Sequence, residues 1–484
     1  MLKPSVVALS VALSLFSVAS QSTDISKIEL PEMGDSSGSL LTIAEERELG
    51  EEFFRYLHTE LTISEDSEIQ EYIQTIGNKL TVNSDDSSYP FHFFVVLEND
   101  INAFAGPGGY IGVNSGLILL SEQESELASV MAHEIAHVTQ RHLYRGVEAQ
   151  QRLSIPTLAA MVAAIALGTQ NAQMGAAALT TIQAGNVQFQ IDFTREHEKE
   201  ADRVGMETLS RSDFDPRSMS SFFERLQQST RYVGNKVPEF LRTHPVTESR
   251  ISDTRGRAEN YPYKQYPDSL AYQLIKSKLR VMAETNPATA AKFFQGHLNQ
   301  GTEEQRTVAQ YGMGLVAMQM QNYQEAERIF QSLIKQYPNQ PQYQTALARN
   351  ALDARQYDLA LKRYQQLVKA FPNKEALRVE YAETLLKAGQ ARNAREVLLN
   401  LNERTKKQPI FNQLLAQVYG NLRQPAESHR YLAEYYYTMG HTQEAIQQVR
   451  LAKTSRGLTP QLNAILNERL HFFLVKEKEE REKQ

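Results

Sequence analysis

Cysteine is absent from the 484 residues, and its absence excludes several chemistries at once. There is no disulfide framework, no thiolate metal site, no thiol nucleophile and no acceptor for a lipoprotein anchor. Any bound metal must be held by histidine and carboxylates. Tryptophan is also absent, which excludes no function. Excess positive charge is missing too: 51 Lys and Arg face 57 Asp and Glu, for a formal net charge of −6. No local basic stripe compensates, so nucleic acid is not expected as a partner. No apolar run reaches the ~20 residues of a spanning helix, so the chain is not expected to be transmembrane. What remains, 41% hydrophobic and 22% charged, is the texture of a globular chain of two or three domains.

The first residues carry an export pattern: Lys3, an apolar run from Val6 to Val18, and small residues at Ser17, Ala19 and Ser20. We expect residues 1–20 to be a signal peptide cleaved near Ala19 or Ser20, and the Ser-, Asp- and Gly-rich 21–42 to be a flexible lead-in. Thr42 and an acidic first turn (Glu45, Glu46, Glu48) open a helix at Ile43. A second helix is expected over Ser67–Leu80, and strands over Phe91–Leu97 and Tyr110–Val113, the latter after Pro107-Gly108-Gly109. Ser121 and Glu124 have the spacing of a capping box ahead of the apolar face Leu127–Val138. Residues 153–188 are Ala-, Gly- and Leu-rich with almost no charge, as in a mobile hairpin near an active site, a packed core hairpin or a membrane segment, although the longest apolar piece, Leu158–Leu167, is too short to span a bilayer.

Past Pro262 an internal repeat appears. Tyr323, Ala326, Phe330, Leu333 and Pro338 recur as Tyr357, Ala360, Tyr364, Leu367 and Pro372, and Gly314, Ala348, Ala382 and Ala416 keep the same step. The ~34-residue period is that of tetratricopeptide repeats, helix pairs that stack into a solenoid. The register breaks after about Arg423 and resumes near Ala433 and Ala445, so the last units are expected to be irregular, while 270–300 reads as a partial leading repeat. The charge-rich Lys476–Lys483 reads as a solvated helix tip.

Within the capped helix lies His133-Glu134-Ile135-Ala136-His137. Two imidazoles four residues apart share a helical face and can chelate one zinc ion, while Glu134 can act as general base for the attacking water. His142 falls on roughly the opposite face and reads as a polar surface residue. A third ligand is needed, and 195–205 (REHEKEADRVG) supplies Glu196, Glu198 and Glu200. Glu198 shares a helical face with Ala201, Asp202 and Gly205, whose small side chains allow close packing on the zinc helix. Glu196 and Glu200 point away, near Lys199 and Arg203. Glu198 is therefore the expected ligand. Asp202, one turn on, is placed to orient a ligand histidine. His244, held extended by Pro245, is a candidate to stabilise an oxyanion or to cap the metal, the alternative being a loop histidine that fixes local structure.

This set resembles the zinc metallopeptidase family that includes the membrane protease HtpX and the eukaryotic CAAX-prenyl endopeptidases, in which an HExxH helix is joined by an ExxxD helix. The matching residues are His133, Glu134, His137, Glu198 and Asp202. Asn102–Ala105 and Pro107–Ile111 resemble the family's segment before the zinc helix, which implies an edge strand beside the site, open to an extended substrate. The family's transmembrane helices are lacking and repeats are added, an arrangement similar to the periplasmic proteases that enhance β-barrel assembly. The resemblance implies a mainly α chain: a zincin-like peptidase domain with a small β-sheet (43–262), an α-solenoid of tetratricopeptide repeats (268–470) and a charged tail (471–484). It implies one Zn2+ per chain and a periplasmic endopeptidase. It implies unfolded or stalled outer-membrane β-barrel precursors as clients, with the barrel-assembly machinery and the lipopolysaccharide-transport barrel as partners of the repeats. The contrasting expectations are a scaffold acting through its repeats, which would not need Glu134, and a specific processing peptidase.

Overall fold

The computed structural model describes residues 42–87, 89–150, 187–232 and 238–483. The expected signal peptide and lead-in, to residue 41, and nearly all of the 153–188 hairpin lie outside the described residues. The first helix, α1 (Ile43–Glu60), opens on a reciprocal cap in which Thr42 accepts from the Glu45 N–H and the Glu45 carboxylate accepts from the Thr42 N–H. Asp66 caps α2 (Ser67–Thr81) through the N–H groups of Glu68 and Ile69.

Three strands follow: β1 (His92–Val96), β2 (Ala103–Ala105) and β3 (Tyr110–Asn114). Their order is β1-β3-β2, with β1 parallel and β2 antiparallel to β3. The outer side of β1 is covered by 62–64, since Ser64 N–H bonds the Val95 carbonyl and Leu97 N–H the Thr62 carbonyl. Among the described residues no strand pairs with the outer side of β2. Both faces of the sheet are buried. Phe93, Val95, Ile111 and Val113 join the main core, while Phe94, Phe104 and Tyr110 pack with Leu49, Phe53 and Leu57 of α1.

Helices α3 (Ser115–Leu120), α4 (Glu124–Thr139) and α5 (His142–Gln150) come next, then α6 (Val187–Arg211), α7 (Arg217–Tyr232), α8 (Glu239–Thr243) and α9 (Glu248–Ala258). The expected Ser121–Glu124 capping box is corrected. The Ser121 hydroxyl is engaged with the Ile118 carbonyl and the Tyr272 hydroxyl, and the N–H groups of Glu122 and Gln123 donate instead to the Glu126 carboxylate.

The repeat region runs through α10 (Leu270–Ala283) and α11 (Pro287–Gln300), then α12 (Glu303–Gln319) with α13 (Tyr323–Gln336), and α14 (Pro341–Asp353) with α15 (Tyr357–Ala370). It continues through α16 (Glu375–Lys387) and α17 (Ala391–Leu399), the short α18 (Glu403–Lys406), α19 (Pro409–Asn421) with α20 (Pro425–Thr438), and α21 (Thr442–Thr454) with α22 (Pro460–Lys483). Helix pairing follows the small residues: a side chain at Gly314 would meet the Phe330 ring at 2.5 Å, and Ala348 and Ala382 are fully buried. Positive-φ residues sit at Gln321, Arg355, Gly389, Arg423 and Gly457, each 34 residues after the last. The backbone repeat therefore continues past Arg423, where the side-chain signature fades.

The solenoid bends back onto the peptidase helices. Tyr272, Ile275 and Leu279 of α10 belong to the main core. Lys278 pairs with Asp66 at 2.7 Å and Glu68 at 2.8 Å, and Lys374 with Glu71 at 3.0 Å. The last helix docks on α1: Lys476 meets Glu48 at 2.6 Å and Glu52 at 3.1 Å, and Arg55 meets Glu480 at 2.9 Å, Thr442 at 2.6 Å and the Tyr437 carbonyl at 2.7 Å. The solvated tip expected at Lys476–Lys483 is thus corrected, because Lys476 is buried against α1 carboxylates. Charge alternation looks alike whether the partner is water or another helix.

Candidate active site

Helix α4 carries His133 and Glu134, each about 1% exposed, and His137 one turn later. Helix α6 lies against α4 so closely that a Cβ at Gly205 would stand 3.2 Å from the His133 main-chain nitrogen, and Ala136, Ala201 and Val204 fill the contact. This approach sets Glu198 against both histidines: its Oε2 is 3.4 Å from His133 Nε2 and its Oε1 is 3.3 Å from His137 Nε2. His244, at the C-terminal end of α8, places Nδ1 3.0 Å from Glu198 Oε1 and 3.4 Å from His133 Nε2. One ligand atom from each of His133, His137, Glu198 and His244 lies within 4.8 Å of the others.

The surrounding charges hold this set in place. Asp202 Oδ1 is 3.0 Å from His133 Nδ1, and the same carboxylate takes a two-point bond from Arg250, at 2.8 Å from Nε and 2.7 Å from Nη2. Arg250 Nη1 also reaches Glu198 Oε2 at 2.8 Å. Burial opposes ionisation of Glu198, but His244, His133 and His137 outweigh it and hold the carboxyl well below its usual range. Burial likewise opposes ionisation of Asp202, and Arg250 with His133 overcomes it. Burial disfavours the charged form of His133, yet Asp202 and Glu198 raise its pKa to about 9. Burial lowers His137 to about 4, despite Glu198.

A bound cation fits this chemistry. His133 Nε2 and His137 Nε2 lie 3.0 Å apart, close enough for both to face one cation. Glu134 Oε1 is buried without a hydrogen-bond donor, His244 Nε2 being 3.5 Å away. Imidazoles and one carboxylate are the donor set of zinc sites that keep a position open for reaction.

The structure brings together His133, Glu134, His137, Glu198, Asp202 and His244. Arg250 went unnoticed in the sequence because nothing in its local pattern marks a guanidinium folded inward from α9. His142 is corrected. It is 5% exposed, with Nδ1 2.9 Å from His137 Nδ1 and Nε2 3.1 Å from Glu200. Extrapolating the α4 spiral put it on the far face, but Arg141 adopts a positive φ of 54° and turns the chain. Glu200 accordingly pairs with Arg145, at 2.8 Å, and with His142. Glu196 is exposed beside Lys199, as expected.

Residues 67–258 match peptidase family M48, and 281–349 and 351–418 match tetratricopeptide repeats. A Vibrio cholerae protein provisionally named a beta-barrel assembly-enhancing protease is 40% identical over 322 residues, 66% of this chain and 66% of its own length. The beta-barrel assembly-enhancing proteases of Yersinia pestis and Escherichia coli are each 39% identical, over 64% and 65% of this chain and 63% and 64% of their own lengths. The matched regions thus span just under two thirds of these relatives. No helix among the described residues is long and apolar enough to cross a membrane. The chain carries a peptidase family M48 domain followed by tetratricopeptide repeats.

Proposed function

We propose that this chain is a zinc-dependent endopeptidase of the periplasm that acts on outer-membrane β-barrel proteins as they assemble. The observation that carries the reading is the convergence of His133, His137 and Glu198 beside the buried, donor-free oxygen of Glu134. His133, His137 and Glu198 would hold one zinc ion. When bound, that ion supplies Lewis acidity, which polarises a peptide carbonyl and acidifies water. Glu134 takes the proton of the attacking water and returns it to the leaving amine. Asp202 Oδ1, 3.0 Å from His133 Nδ1, would keep the proton on Nδ1 and so leave Nε2 free to bind metal. His244 lies among the donors and caps the site at rest. On this reading His244→Ala raises proteolysis; a fall would mean oxyanion stabilisation instead.

The edge of β2 that pairs with no described strand lies near α4, and the Phe240 N–H that bonds the Ile101 carbonyl ties it to the α8–His244 segment. An extended chain added to that edge gains main-chain hydrogen bonds with little sequence demand, which suits unfolded, β-prone clients. The names of the relatives support barrel precursors as clients. Docking of the repeats on the barrel-assembly machinery and the lipopolysaccharide-transport barrel follows from the same reading, as does export through residues 1–20. The test is capture. Full-length Glu134→Gln, cross-linked in Gram-negative cells, should enrich barrel precursors and their assembly machinery over soluble periplasmic proteins. An unselective soluble catch would leave a general protease, and a single cleaved partner would favour a processing peptidase.

A further inference from the structure

Both candidate ligand histidines have a polar partner on the ring nitrogen away from the cluster. For His133 it is Asp202. For His137 it is another imidazole, that of His142, with Nδ1 2.9 Å from Nδ1. His137 Nε2 faces the cluster, 3.0 Å from His133 Nε2 and 3.3 Å from Glu198 Oε1. A neutral imidazole that offers Nε2 as a ligand carries its proton on Nδ1, and a buried N–H needs an acceptor. His142 Nδ1 can accept only if the His142 proton sits on Nε2, and there Glu200 Oε2 receives it at 3.1 Å. Arg145 holds the same carboxylate oxygen at 2.8 Å. The His142 ring is clamped by stacking on His197, with centroids 4.1 Å apart and planes within 8°.

We propose that His142, anchored by Glu200, is a positioning residue that fixes the tautomer and ring orientation of His137 and thereby tunes zinc affinity. The chain of bonds runs one way, from His137 Nδ1–H to His142 Nδ1 and from His142 Nε2–H to Glu200. It is the imidazole counterpart of the Asp202 bond to His133. The inference rests on the reading of His137 as a zinc ligand, and neither His142 nor Glu200 touches the reacting atoms.

The test uses the full-length chain and measures zinc affinity by competition with a chelator, together with the visible spectrum of the Co2+ form. An Asn side chain at 142 can place an acceptor near the position of Nδ1, whereas Leu cannot. His142→Leu should weaken zinc binding about 10–100-fold and alter the Co2+ bands, while His142→Asn stays within tenfold of the original. Glu200→Ala should weaken zinc binding in the original chain but add nothing to His142→Asn, whose amide needs no such anchor. If His142→Leu fails to fold, as its melting curve would reveal, the Glu200→Ala and His142→Asn cycle still decides. Unchanged affinity in His142→Leu would overturn the proposal, as would equal losses for Asn and Leu or a Glu200→Ala effect that persists in His142→Asn. If the original chain binds no zinc at all, the metal-site reading itself falls and takes this inference with it.

Discussion

Removing Asp202 should damage the peptidase domain in two separable ways. Its carboxylate is about 1% exposed and serves both the two-point bond from Arg250 and the 3.0 Å contact with His133 Nδ1. In Asp202→Ala the Arg250 guanidinium stays buried, with only Glu198 at 2.8 Å and the Pro245 carbonyl at 3.0 Å. Breaking a buried pair costs about 3–5 kcal/mol, and the surviving Glu198 contact argues for the low end, about 3 kcal/mol. For a domain of this size that corresponds to a fall of roughly 6–12 °C in the melting temperature. Calorimetry of the metal-free protein reads this loss, together with that of the His133 contact, apart from any change in zinc binding. Separately, His133 loses the acceptor that fixes its tautomer, so zinc affinity should fall about 10–100-fold in a chelator competition. Asp202→Asn should destabilise similarly, because both carboxylate oxygens accept from Arg250 and the amide NH2 must replace one of them. An Oδ1 kept toward His133 Nδ1 should spare more of the zinc affinity. Melting within about 2 °C of the original and unchanged zinc affinity would refute the reasoning.

Two further outcomes follow from the contact between repeats and peptidase. Glu380, buried beside Asp66, Glu68, Lys278 and Tyr364, is pushed up to about 8 by burial and then by Glu68. The folded chain therefore holds that proton where the unfolded chain has released it, so stability is fully present below the ordinary carboxylate pKa and lost as pH rises to about 8. Glu380→Gln should flatten the decline in melting temperature between pH 5 and pH 8, and an unaltered slope would count against this assignment. Gly440 has φ 82°, and a Cβ there would lie 2.7 Å from the Arg55 carbonyl and 2.5 Å from Thr59 Cγ2. Gly440→Ala should loosen α20–α22 from α1, costing upwards of about 1 kcal/mol and raising amide exchange in α22. Unchanged exchange there would mean that the contact tolerates the extra atom.

How much of this was legible in the sequence depends on the range of the interaction. Elements governed by neighbours within four residues are readable: the Thr42 cap, α2, the strands at Phe91–Leu97 and Tyr110–Val113, and the His133–His137 spacing, whereas the three-residue β2 enters only through the family resemblance. Glu198 was separable from Glu196 and Glu200 because helix periodicity put it on the face with Gly205, and that face does pack on α4. His142 was misread because a single positive-φ residue, Arg141, breaks the periodicity on which the reading relied. Arg250 and the docking of Lys476 on Glu48 and Glu52 depend on partners more than 40 and 400 residues away, and no local pattern encodes them. The repeat faded at Arg423 because side chains at the helix contacts drift, while the turn geometry that keeps the period depends on one residue per unit.

The central claim is that one zinc ion, held by His133, His137 and Glu198, works with Glu134 as the base. The most direct test measures bound zinc by elemental analysis and hydrolysis of an unfolded barrel polypeptide on the same preparations of the original chain and Glu134→Gln. One zinc per chain is expected in both, with a loss of hydrolysis of about 10²–10⁴-fold in Glu134→Gln alone. Hydrolysis that survives in Glu134→Gln, or an original chain that cleaves without zinc, would contradict the claim.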